Sequence, residues 1–185
     1  MRRPEFIARQ SSCPSGWLGR IIARIMARET TVENALALRL LDPRPKDVVL
    51  EIGFGHGRVI AELANRCPQG RVWGLDSSPT MVQMAPRFNQ AAVDRGLVQV
   101  NVGDSSALPY ASETFDCVRT VHTISFWSQP LDHLREIDRR EPLARVVAER
   151  LGVLDDFPVL DVGADAESEL HESLPRLLMS VPRLQ

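Results

Sequence analysis

With 185 residues, 44% of them hydrophobic and 25% charged, the chain has the length and make-up to bury one core of ordinary size. A net charge of −2 leaves no basic surface for nucleic acid. No run of about 20 apolar residues offers membrane insertion, and Arg2, Arg3 and Arg9 lead into no apolar leader segment.

Cys13, Cys67 and Cys117 are odd in number, far apart and without metal-ligand spacing, so a reduced, cytoplasmic protein with no bound metal is expected. Residues 1–16 read as an irregular N-terminal segment. Leu18, Ile21, Ile22, Ile25 and Met26 then recur at helical spacing. Thr30 and Glu33 form a capping box that opens a second helix through Leu41, and Asp42-Pro43-Arg44-Pro45 ends it. From there strand and helix alternate: a strand over 48–52, a helix over 56–65 and a strand over 71–75. Ser78-Pro79 caps and starts the next helix, which Pro86 should kink. Strands over 97–102 and 115–121 follow. These strands are apolar on both faces, which argues for a parallel sheet covered by helices on both sides. Beyond Pro130, the spacing of Leu131, Leu134 and Ile137, and then of Leu143, Val146 and Val147, predicts helix broken at Pro142. A fifth strand is expected over 157–162, and a last helix over 167–179.

The chemistry concentrates at strand ends. Gly53, Gly55 and Gly57 follow the first strand and open a helix, so a ligand can lie against bare main chain beside that helix N-terminus. Glu51 lies in the same strand, Asp76 ends the second and Asp104 follows the third. An acid at the position of Asp76 suits a ribose diol. Three carboxylates would repel a polyphosphate, and they favour a cofactor bearing an ammonium, hydroxyls and an amino-purine. S-adenosylmethionine carries all of these.

Residues 17–138 resemble the class I S-adenosylmethionine-dependent methyltransferases, close to methyltransferase type 11 and the quinone-biosynthesis methyltransferases. The resemblance rests on Val49-Leu50-Glu51-Ile52-Gly53-Phe54-Gly55-His56-Gly57, Gly74-Leu75-Asp76-Ser77-Ser78, Gly103-Asp104-Ser105-Ser106-Ala107-Leu108-Pro109-Tyr110 and Phe115-Asp116-Cys117-Val118, in that order. It implies a Rossmann-like α/β fold whose core spans 17–138, including the two N-terminal helices. It implies that Glu51 and the turn with Phe54 meet the methionine end, that Asp76 with Ser77 holds the ribose, and that Asp104 with Ser105 holds the adenine amine. His122, as a base, and Trp127, against a small-molecule acceptor, would stand after the fourth strand. Met81, Met84 and Cys117 read as core filling.

The tail departs from this pattern. Arg140-Glu141-Pro142-Leu143 stands where the family places a Pro-Gly-Gly turn, and residues 139–185 contain no Ile, Thr, Asn, Lys, Tyr or Trp. A shortened, diverged ending or a changed reading frame is expected, without the usual antiparallel hairpin, and the exposed sheet edge would then offer a contact for a second copy. Two other readings stand beside methyl transfer. One is a relative that binds cofactor or partner without catalysis. The other is a nicotinamide-dependent oxidoreductase, against which Arg58 replaces the third glycine of the dinucleotide fingerprint.

Overall fold

The computed structural model describes residues 31–140, 145–149 and 177–179, with Gly16 besides. Helix α1 (Thr31–Leu41) leads into strand β1 (Val48–Ile52), helix α2 (Arg58–Arg66) and strand β2 (Arg71–Asp76). Helices α3 (Pro79–Met84) and α4 (Pro86–Asp94) lead to β3 (Val98–Val102), and β4 (Cys117–Val121) precedes α5 (Pro130–Arg140). Strands β5 (Arg145–Glu149) and β6 (Leu177–Met179) complete the described elements. The first helix expected from the sequence, and the strand over 157–162, lie outside the described residues.

Six strands lie in the order β3-β2-β1-β4-β5-β6. Each pairing is parallel, so among the described residues there is no antiparallel hairpin. The order follows from the sequence rhythm: successive crossovers run outward from β1 to β3, and the chain then returns to the other side of β1. That return creates a cleft at the C-terminal ends of β1 and β4, where open parallel sheets take ligands.

Alternation along the strands sorts the core into two layers. Val49, Val72, Cys117 and Val121 meet Leu38, Leu41, Ile60, Leu63, Met81 and Met84 on one face. Leu50, Ile52, Leu75 and Val118 meet Phe115, Leu134 and Ile137 on the other. The reading of Met81, Met84 and Cys117 as core is thus borne out. Pro86 does more than kink its helix. It divides the expected element into α3 and α4 at Ala85, because proline has no N–H to continue the ladder. Ser78 caps α3, its hydroxyl accepting from Met81 N at 3.4 Å.

The tail corrects two expectations. Residues 145–149, read as helix, form a strand paired with β4, and 177–179, read as the end of a helix, form a strand paired with β5. The adjacent β-branched Val146 and Val147 suit a strand enclosed by neighbours on both sides better than a helix. Val146 is buried in the second core layer.

One polar network interrupts the apolar core. Glu51 and Arg119 are register partners on β1 and β4. Arg119 is fully buried and Glu51 nearly so. Arg119 Nη1 donates to Glu51 Oε1, and its Nη2 donates to Asn34 Oδ1 on α1. Removing either charge would strand the other in a medium of low dielectric. Arg119→Met is therefore expected to destabilise the fold by about 3–5 kcal/mol, with Glu51→Gln/Arg119→Met recovering part of that loss, as measured by urea unfolding.

Candidate functional site

The turn after β1 is built by three left-handed glycines: Gly53 at φ 72°, Gly55 at φ 56° and Gly57 at φ 89°. Two of them are also confined. A Cβ on Gly53 would fall 2.2 Å from Thr123 Oγ1, and one on Gly57 would fall 2.7 Å from Ala85 Cβ. Nothing lies within 4 Å of a Cβ at Gly55, so that is where the turn opens outward. Phe54 between them gives the site its main chain alone. Its ring is buried in the first core layer, filling the space beside Gly74.

Asp76 ends β2 beneath this turn. Gly55 N donates to its Oδ2 at 2.9 Å and Ser78 N to its Oδ1 at 2.8 Å. These bonds fix both carboxylate oxygens while leaving each with acceptor capacity for a diol. Burial raises the Asp76 pKa to about 6 against the lowering effect of both bonds. The neighbouring Ser77 is exposed. Burial likewise raises Glu51 to about 7, although Arg119 pulls it down. Glu51 Oε2 is buried with no hydrogen-bond partner, an arrangement that lacks a donor such as an ammonium.

Asp104 follows β3 and keeps 68% of its side chain exposed. Ser106 N donates to its Oδ1 at 2.9 Å and holds its pKa below the usual carboxylate range. Ser105 is buried, its hydroxyl 2.8 Å from His133 Nδ1. The three acids therefore stand at the C-terminal ends of adjacent strands, as the sequence required. An orphaned acceptor at Glu51, a pinned carboxylate at Asp76 and an exposed one at Asp104 fit the amino-acid, ribose and adenine parts of S-adenosylmethionine.

The two residues expected on the acceptor side both follow β4. His122 follows β4 directly and holds φ at 61°, a backbone state that side chains adopt at some cost. Both of its ring nitrogens are shielded from solvent. Trp127 is buried in the second core layer and stacks on His133, with ring centroids 4.3 Å apart and planes 5° from parallel.

Sequence reasoning missed Arg119, Asn34, Asn89 and His133. Asn89 is buried and donates through Nδ2 to Gly57 O at 3.0 Å and Ala85 O at 2.8 Å. It thereby ties the glycine turn to the α3–α4 break. An arginine within an apolar strand was a readable signal that an acid waits opposite. Asn89 gave no such signal, since its partners are carbonyls brought close only by folding.

Raised carboxyl pKa values carry a sign. Asp76 keeps its proton in the fold above the unfolded value of 3.8, so the stability it contributes is lost as pH rises from about 4 to about 6. At about 1.4 kcal/mol per pKa unit, this amounts to about 3 kcal/mol. Urea unfolding across this range should show a shallower pH dependence for Asp76→Asn than for the natural chain.

Residues 50–140 match the family model described as a methyltransferase domain, of type 11. An uncharacterized 37.1 kDa protein from a transposon of Streptomyces fradiae is 34% identical over 137 residues, covering 70% of this chain and 38% of that protein. The ubiquinone/menaquinone biosynthesis C-methyltransferase UbiE of Cereibacter sphaeroides is 34% identical over 86 residues, 46% of this chain and 33% of that one. The crystal structure of the S-adenosylmethionine-dependent methyltransferase SibL superposes with a TM-score of 0.57 at 27% identity, covering 71% of this chain and 39% of that one. The chain thus spans 33–38% of the length of these two curated relatives. Domain match, strand order and relatives agree that residues 50–140 form a methyltransferase domain of the class I S-adenosylmethionine-dependent kind.

Proposed function

We infer that the chain binds S-adenosylmethionine across Glu51, the Gly53–Gly57 turn, Asp76 and Asp104, and transfers its methyl group to a small-molecule acceptor. The carrying observation is the Asp76 carboxylate, buried yet pinned by Gly55 N and Ser78 N so that both its oxygens keep acceptor capacity beside the open turn. Bound there, the cofactor supplies a methyl group already activated by a sulfonium. What remains for the protein is to hold the reactants in line, and positioning of this kind accounts for much of the barrier lowering in such displacements. Glu51 Oε2 accepts the ammonium, Asp76 the ribose hydroxyls and Asp104 the adenine amine. The net charge of −2 and the resemblance to a quinone-pathway C-methyltransferase favour a small acceptor over nucleic acid.

A second reading is favoured by one observation. Of the two side chains expected to meet the acceptor, Trp127 is buried and His122 has both ring nitrogens shielded from solvent, as would suit a relative that binds cofactor without turnover. Transfer of a labelled methyl group to any acceptor in a small-molecule screen would exclude it.

Calorimetric titration with S-adenosylhomocysteine tests the cofactor site. Asp76→Ala is expected to weaken binding about 100-fold, the scale of two hydrogen bonds to a charged acceptor. Affinity in the natural chain should also fall as pH drops through about 7 and about 6, where Glu51 and Asp76 take up protons and cease to be full acceptors. A folded chain with no measurable affinity at pH 8 would overturn the reading.

A further inference from the structure

Beyond the acids stands a side chain that neither motif nor resemblance assigns. His133 lies in the first turns of α5, almost wholly buried. Its Nδ1 sits 2.8 Å from Ser105 Oγ and 3.5 Å from Asp104 Oδ1. A carboxylate oxygen only accepts, while a hydroxyl can do either, so a hydrogen on Nδ1 is compatible with both neighbours, bonding Ser105 Oγ and facing Asp104 Oδ1. Stacking against Trp127 holds the imidazole plane and keeps Nδ1 on this side. The arrangement is not that of a nucleophilic triad, because serine and acid share one ring nitrogen instead of taking opposite ones.

The same helix anchors the rest of the segment after Asp104. Glu136 Oε1 accepts from Leu108 N at 3.3 Å, and Arg140 Nη1 donates to Tyr110 O at 3.1 Å. Glu113 N donates to Arg140 O at 2.8 Å. Contacts at residues 133, 136 and 140 therefore fasten the segment along its length, and His133 is the one that reaches its acid.

We propose that His133 is a positioning residue for adenine recognition: through Nδ1 it fixes Asp104 and Ser105 so that the exposed face of the Asp104 carboxylate meets the exocyclic amine of the cofactor. Ser106 N donates to Oδ1 and His133 Nδ1 lies 3.5 Å from the same oxygen, so both contacts engage Oδ1 while the side chain keeps 68% of its surface exposed. The proposal rests on the cofactor reading above and adds to it a residue on a different element.

The test compares two ligands on the full chain by calorimetry: S-adenosylhomocysteine, and S-inosylhomocysteine, which has a carbonyl oxygen in place of the amine. The natural chain is expected to prefer the adenine ligand by about tenfold or more, the scale of a hydrogen bond to a charged acceptor. His133→Ala should bring the two affinities within about twofold. His133→Asn carries an amide N–H near the Nδ1 position and should keep most of the preference, whereas His133→Gln places its amide near Nε2 and should lose it. The Asn and Gln pair decides the matter even where the alanine variant does not fold. An equal loss for both ligands, or an unchanged preference in the Gln variant, would overturn the role of His133 while leaving cofactor binding intact. Failure of the folded natural chain to bind S-adenosylhomocysteine would instead overturn the cofactor reading, and this inference with it.

Discussion

The arrangement of the sheet depends on the ion pair between Arg119 and Glu51. A guanidinium and a carboxylate face each other across two adjacent strands inside an apolar core, where neither charge is tolerable alone. Asn34 joins them from α1, so helix, cofactor strand and return strand share one polar junction. The pair also sets the chemistry of the acid. Burial drives Glu51 toward its neutral form, and Arg119 offsets part of that drive. An unpartnered Oε2 remains as a strong acceptor a short distance from the glycine turn. The two oxygens of one carboxylate thus have different surroundings, one bound to Arg119 and the other without a hydrogen-bond partner.

The glycine turn is constrained from both neighbouring layers. Thr123, after β4, closes on Gly53, and Ala85, at the helix break, closes on Gly57. Asn89 then holds the carbonyl of Gly57. The turn leaves open space only at Gly55, whose N–H reaches Asp76. Pro86 was expected only to kink the helix after β2. Its effect is to end α3 at the place where the turn needs a close neighbour, and to let Asn89 face back toward it.

Much of the architecture was legible because its causes are local. Apolar strand runs, the Ser78-Pro79 cap and the punctuation at Pro43 and Pro45 each announced an element. The strand-end acids could be placed by counting. What stayed hidden depended on distant residues. Val146 and Val147 read equally well as helix or strand until β4 is known to lie beside them. Phe54 sits in the glycine turn yet packs its ring inward, because Gly74 on the next strand leaves a hollow for it. The stacking of Trp127 on His133, six residues later in the chain, could not be read from either residue alone. In each case a neighbour brought by the fold outweighed the preference of the residue itself.

The separation of Glu51 from Arg119 along the chain, 68 residues, bears on how the molecule is made. As the polypeptide is synthesised, β1, β2 and β3 emerge together with the carboxylate, while its counter-ion is still to be added. Until β4 arrives, one side of β1 is an unpaired strand edge, and the acid inside it has no arginine to face. Nascent chains in this interval expose both a sticky edge and an uncompensated charge. Docking of β4 covers that edge of β1 and brings in the counter-ion in one step, before β5 and β6 extend the sheet beyond it.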